Sequence, residues 1–202
     1  MLIGLMGPKG GGKDTVCGII QEIVDPAPVR FAFADKLKEF AYALDPLIDL
    51  NFPPIDPKVG DTLKYVRRLS WIVDSYGWDE AKQFSDVRRL LQRLGTEAGR
   101  QVLRDDIWVS TIEAAVGEAA RTTGAVLTDV RFPNEIDLVR TLGGSLWRID
   151  RPSAETGDPH PSEVAWRSAT PDVVIINDGP LEALEAAVYA VLAETRTILP
   201  HS

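Results

Sequence analysis

A short apolar run that ends in a glycine-dense loop constrains this chain more than any other feature. Leu2–Met6 carries no charged residue and runs straight into Gly7-Pro8-Lys9-Gly10-Gly11-Gly12-Lys13-Asp14-Thr15. An apolar pentapeptide stopped by glycine has the pattern of a buried strand. Glycine reaches backbone angles at which successive N–H groups turn inward and form a nest for an anion. The helix expected next, over Asp14–Val24, presents its N-terminus to the same anion. The spacing fits G-x-x-x-x-G-K, the phosphate-binding loop. Gly10, Gly11 and Gly12 then form the cradle, and Lys13 reaches the β- and γ-phosphates of a nucleotide such as ATP.

One residue departs from the strict motif. Asp14 stands where Ser or Thr normally follows the lysine, and that hydroxyl normally ligates Mg²⁺. A carboxylate is also a hard oxygen ligand, so Asp14 serves the metal directly or through water. The alternative is that Asp14 caps the helix and Thr15 serves the metal or the α-phosphate. The sequence leaves both open.

Beyond the loop, strand and helix patterns alternate. Val29–Phe33, Ala125–Leu127, Ser145–Ile149 and Asp172–Ile176 read as strands. Asp35–Leu44, Pro133–Leu142 and a C-terminal stretch with Leu181, Leu184, Val188, Val191 and Leu192 read as amphipathic helices. Pro46–Pro57 is proline-rich and reads as loop, and residues 58–122 show helical periodicity without a convincing strand. The fold class is therefore α/β, a parallel sheet flanked by helices, in one domain spanning 1–202 with a helical insertion at about 46–122. In such sheets ligands bind beyond the carboxyl ends of the strands. That rule groups Gly7–Thr15, Phe33–Lys36, Asp129–Arg131, Arg148–Arg151 and Asn177–Gly179 on one rim.

Composition narrows the function classes. The formal net charge is −8, which argues against nucleic acid polymers and anionic membranes as main partners. A few focused cations suffice for small phosphate esters. No apolar run approaches the ~18–20 residues of a membrane span. The single cysteine, Cys17, agrees with a reducing cytoplasm and reads as buried packing. His160 and His201 are the only histidines, and there is no cysteine–histidine cluster for zinc.

GPKGGGKDT, FADKLKE, LQRLGTEAGR, DDIWV, LTDVRFPNE, HPSE and INDG, in that order, resemble the bacteriophage deoxynucleoside monophosphate kinases. GKDT and TDVRFPNE are the more specific pieces, and the resemblance runs from Met1 to about Leu192. It implies a P-loop kinase fold, ATP and Mg²⁺ as cofactors, and transfer of a γ-phosphoryl group to a dNMP in the host cytoplasm.

The residues supply candidates for that chemistry. Asp129 ends an apolar strand, where such proteins place a second metal-side carboxylate. Arg131, two residues on, offers a cation for the transferring phosphoryl. The plainer alternatives are a helix N-cap for Asp129 and a surface ion pair for Arg131. Asn134 and Glu135 open the next helix, and Glu135 orients Arg131 or touches the acceptor. Arg89, Gln92 and Thr96 share a face of an expected helix over Arg88–Gly99, as do Arg88, Gln92 and Thr96. With Gly95 giving close approach, that face is a candidate acceptor surface or a solvated one, and the resemblance places substrate contacts there. Arg100 binds the acceptor or pairs with Glu97. Trp108 stacks on a base or packs in the core.

Asp35 and Lys36 follow the second strand, a region that lines the acceptor pocket in monophosphate kinases, and Asp35 is equally an N-cap. Arg148, Arg151 and Arg167 flank the loop at 150–163, a candidate mobile lid. His160, Ser162 and Glu163 close that loop, with no role evident from their chemistry. Asn177, Asp178 and Gly179 occupy the turn that holds adenine in similar kinases, and Asn-Asp-Gly is also a good plain turn. A homodimer is the base-rate assembly for a soluble enzyme.

Two rivals remain at this level. Phosphomevalonate-type kinases also show GKD with a later strand-end Asp and Arg. A nucleotide-binding switch is the other, although its guanine-reading Asn-Lys-x-Asp is absent.

Overall fold

The computed structural model describes residues 1–50, 65–154 and 165–198. They form two compact units, Met1–Phe33 with Val109–Ser202, and Ala34–Trp108.

The first unit is built on a five-stranded parallel sheet in the order β2-β5-β1-β6-β7. Its strands are β1 (Leu2–Met6), β2 (Val29–Phe31), β5 (Ala125–Leu127), β6 (Ser145–Asp150) and β7 (Val173–Ile176). Every residue of β1 and β5 is buried, as continuous apolar strands covered on both faces should be. Strand alternation sorts the side chains. Ile3, Leu5, Val126, Trp147, Ile149 and Ile175 pack with α1 (Lys13–Ile23) and α7 (Leu181–Ile198), which contribute Val16, Ile20, Leu184 and Val188. On the opposite face α6 (Pro133–Thr141) comes so close that a Cβ on Gly4 would lie 2.9 Å from Val139. β1 sits centrally, with β5 and β2 on one side and β6 and β7 on the other. All five strands point the same way, so their carboxyl ends share one edge, as the alternating pattern predicts.

The second unit is helical with a small ribbon. It holds most of α2 (Phe33–Leu44), then α3 (Leu69–Ala81), α4 (Ser85–Gln92) and a π-helix over Arg93–Leu103; α5 (Ile107–Arg121) begins at its end. Its core is Ala41, Ile48, Leu50, Leu69, Ile72, Ala81 and Val87. Three expectations need correction here. First, β3 (Leu47–Asp49) pairs antiparallel with β4 (Val66–Arg68), within stretches expected to be loop and strand-free. Only Ile48 of the ribbon is fully buried, so apolar alternation is missing from both strands. Second, the helix at Arg88–Gly99 does not continue in α geometry. It widens after Gln92, and Arg104 N–H reaches back five residues to the Gly99 carbonyl at 3.0 Å, so the 3.6-residue face does not carry through to Thr96. Third, α2 begins at Phe33, which puts Asp35 inside the first turn rather than at the N-cap.

Among the described residues, no helix is long and apolar enough to cross a membrane.

Candidate functional site

The loop between β1 and α1 takes its shape from two glycines above all. Gly7 has φ 138°, and a Cβ there would lie 2.3 Å from the Ile149 carbonyl oxygen. Gly12, the N-cap of α1, has φ 98°, and a Cβ would meet the Asn177 amide nitrogen at 2.5 Å. Gly7 excludes L side chains on conformation and on space; Gly12 disfavours them on conformation, and a Cβ there would push the Asn177 amide aside. The loop closes on itself through Gly11 N–H to the Pro8 carbonyl at 3.0 Å, and the helix starts with Val16 N–H to the Gly12 carbonyl at 2.9 Å. Lys13 is 8% exposed and its ammonium donates to the Gly7 and Pro8 carbonyls at 2.9 and 2.7 Å. The cation is thereby held over the loop that it closes.

Residues from the neighbouring strand ends brace this loop. Asn177 follows β7; its backbone N–H donates to the Asp150 carbonyl at 2.7 Å and its side-chain amide to the Gly11 carbonyl at 2.9 Å. Arg151 follows β6 and donates to the Gly10 carbonyl at 3.3 Å. Arg148, inside β6, turns its Nε to both oxygens of Asp150 at 3.0 and 3.1 Å. Asp178 and Gly179 lie exposed beyond β7. Arg167 lays its guanidinium 5.5 Å from the Trp166 ring. His160, Ser162, Glu163 and most of the 150–163 loop lie outside the described residues.

On the other side of β1, Val130 N–H bonds to the Leu5 carbonyl at 3.1 Å, tying the end of β5 beside the loop. Asp129 accepts from Phe33 N–H at 2.9 Å. That bond spans 96 residues of sequence. Arg131 and Phe132 both donate their backbone N–H to one carboxylate oxygen of Glu135, at 2.7 and 3.1 Å. Glu135 is only 2% exposed, and these bonds help fix the backbone that carries Arg131. Asn134, beside it, is partly buried.

Asp14 is exposed, and its Oδ1 accepts from Nε and Nη2 of Arg30 at 3.3 and 3.2 Å. This pairing was not legible in the sequence, because Arg30 lies on a three-residue edge strand with no motif around it. Thr15 is exposed beside Asp14. Below them Cys17 is buried in the core, and burial is the main cause that pushes its thiol pKa up; Arg30 opposes the rise and Asp14 adds to it.

Within the second unit the acceptor candidates separate. Arg89 pairs with Asp86, which also accepts from Asp49 N–H at 3.1 Å. Arg89 lines a concavity of about 670 Å³ with Asp86, Arg93, Glu97 and Gln101. Arg88 instead donates to the Lys82 carbonyl at 3.3 Å. Gln92 is exposed and Thr96 half-buried. Glu97 is paired with Arg93 at 3.1 Å, while Arg100, 9% exposed, donates to the Asp105 carbonyl at 2.8 Å. Trp108 packs in this unit's interior, with its indole N–H on the Gly95 carbonyl at 2.9 Å and its ring edge-on to Phe40 at 6.4 Å. The close approach at Gly95 is to Leu37, 3.0 Å from where a Cβ would sit. Asp35 is paired with Lys38 at 3.0 Å and Lys36 with Glu39 at 2.7 Å.

A parallel sheet with β1 at its centre, a glycine nest at the end of β1, and a lysine at the start of the next helix define a P-loop phosphotransferase of the α/β class. The chain matches the sequence model of a family described as deoxynucleotide monophosphate kinase over residues 56–188. It is 30% identical to a putative deoxynucleotide monophosphate kinase of Acanthamoeba polyphaga mimivirus, across 94% of this chain and 95% of that protein. It is 29% identical to the deoxynucleotide monophosphate kinase of Escherichia phage RB69, across 95% and 99% of the two chains. Shikimate kinase from Aquifex aeolicus, at 11% identity, overlaps it with a TM-score of 0.48 over 98% of this chain and 100% of that one. The chain belongs to the deoxynucleotide monophosphate kinase family.

Proposed function

We propose that this chain transfers the γ-phosphoryl group of ATP to a deoxynucleoside monophosphate, giving the diphosphate and ADP. The observation that carries the reading is the loop Gly7–Thr15, closed by Lys13 and braced by Asn177 and Arg151, in a chain of this family.

In this reading the β- and γ-phosphates lie against the loop N–H groups and the N-terminus of α1, with Lys13 as their point charge. The acceptor phosphate has a second pKa near ~6 and is mostly dianionic at neutral pH, so no general base is required. The obstacle is repulsion between two polyanions held in line, and positioned cations offset it. Arg131, on a backbone fixed by Glu135, is the proposed partner of the transferring phosphoryl. Arg148, Arg151 and Arg167 are the proposed cations of a lid at 150–163. Asp35, Lys36, Arg88, Arg89, Gln92, Gly95, Thr96 and Arg100 remain proposed acceptor contacts within the region 46–122 and its approach. Trp108 is assigned to packing rather than stacking, because its ring is buried and its N–H is used.

Mg²⁺ arrives with the nucleotide and keeps several waters, so it needs only one or two protein carboxylates. Asp14 and Asp129 supply hard oxygens of that kind, and no larger cluster of His, Cys, Asp or Glu occurs among the described residues. The donor set fits. Asp14 or Thr15, with Asp129, would hold such an ion, which would supply positive charge to offset that of the phosphates.

The test is a coupled ADP-release assay with ATP and Mg²⁺ against dGMP, dTMP, dCMP, dAMP, their ribo forms and phosphorylated small metabolites. Turnover with at least one dNMP and none with phosphomevalonate is expected. ATP binding without transfer to any monophosphate would overturn the reading.

A further inference from the structure

Asp14 occupies the position after the loop lysine, and it is held in a particular way. Both donors that reach it, Nε and Nη2 of Arg30, converge on a single oxygen, Oδ1, at 3.3 and 3.2 Å. The side chain of Asp14 is 78% exposed. Its second oxygen receives neither of these two donors. Two N–H groups converging on one carboxylate oxygen restrict where that oxygen sits and leave the other oxygen without either donor. Outer partners of this kind orient a metal-ligating carboxylate and tune its affinity.

Topology places the partner that holds it. Arg30 is the central residue of β2, paired in register with Val126 of β5. β5 lies between β2 and β1. A contact from the start of α1, directly after β1, to a residue of β2 therefore spans the β5 column. β5 is the strand that leads into Asp129. The pair thus ties the start of α1 to the strand two columns from β1, beside the strand that leads into Asp129.

We propose that Arg30 is a positioning residue: it locks the Asp14 carboxylate through Oδ1 so that Oδ2 is presented to the divalent ion of a bound nucleotide. The inference rests on the kinase reading above and resolves its choice between Asp14 and Thr15 in favour of Asp14. Arg30 itself touches neither metal nor phosphate in this scheme.

The experiment is a Mn²⁺ titration of the full-length protein with ATP, read by electron paramagnetic resonance, together with metal-free ATP binding read by calorimetry. Four variants are compared with wild type: Arg30→Gln, Arg30→Lys, Asp14→Asn and the double variant Asp14→Asn/Arg30→Gln. Arg30→Gln should weaken Mn²⁺ affinity in the ATP complex about tenfold, the low end for loss of an outer partner, while metal-free ATP binding stays unchanged. Arg30→Lys should recover part of the loss. The double variant should bind Mn²⁺ no worse than Asp14→Asn, because Arg30 acts through Asp14. Wild-type Mn²⁺ affinity in Arg30→Gln, or a fully additive double variant, overturns the proposal while leaving the kinase reading intact. If Arg30→Gln does not fold, Asp14→Asn decides, since undiminished Mn²⁺ affinity there removes the ligand through which Arg30 is said to act. Failure of the wild-type protein to bind ATP at all would instead sink the underlying reading.

Discussion

Lys13 is the residue at which position and chemistry meet most directly. Its ammonium already lies on the loop carbonyls of Gly7 and Pro8, so little reorganisation separates that position from a phosphate. Lys13→Ala should lower kcat/KM for phosphoryl transfer by about 10²–10³-fold, the range for loss of one preorganised charge-stabilising donor. Steady-state kinetics with the best dNMP measures it, and near-wild-type turnover would remove Lys13 from the site. Asn177 acts differently, because its amide donates to a loop carbonyl rather than to a ligand. Asn177→Ala should raise KM for ATP roughly fivefold with kcat little changed, as expected when one neutral hydrogen bond supporting ground state and transition state alike is removed. A collapse of kcat with unchanged KM would instead mean that Asn177 contacts the reacting groups. The loop was legible from sequence because its glycines and lysine are contiguous. The contacts that hold Asn177, Asp129 and Arg30 were not, since each involves a partner far along the chain: Gly11, Phe33 and Asp14.

At the scale of elements, legibility followed burial. β1 and β5 are buried throughout and were located to the residue; β2, β6 and β7 shifted only at their ends. The β3–β4 ribbon escaped detection because two of its six residues are arginines and Val66–Arg68 is wholly exposed. The π-helix escaped for another reason. Its sequence keeps helical periodicity, and its close packing is tertiary: the Trp108 ring lies 2.9 Å from where a Cβ on Gly99 would be, and its N–H reaches the Gly95 carbonyl. Gly99→Ala should therefore destabilise the protein by about 1–3 kcal/mol through overpacking against Trp108 and the Leu94 carbonyl. Urea unfolding followed by far-UV circular dichroism tests this. An unchanged midpoint would show that the wide turn yields without cost.

At the scale of the whole molecule, acid sensitivity is built into both units by carboxylates held below their usual range. In the first unit Asp172 feels burial, which raises its pKa, but hydrogen bonds from Arg140 and from Leu146 N–H outweigh it, and the net direction is downward. Those bonds, at 2.5 and 2.7 Å, join α6 and β6 to the residue that leads into β7. In the second unit Asp45 is lowered first of all by the backbone N–H of Ser70, at 2.8 Å. A carboxyl group whose folded pKa is depressed contributes stability that is fully present above its unfolded value, near ~3.9, and is lost as pH falls through the folded value. Stability should therefore be flat with respect to these two groups at neutral pH and should fall as the solution is acidified below about pH 4. Asp172→Asn should be less stable than wild type at pH 7 and should lose less on further acidification, so that the two curves converge. Urea midpoints measured from pH 7 down to pH 3 test both parts, and parallel curves would show that the Asp172 carboxylate is not held in the folded state as its partners require.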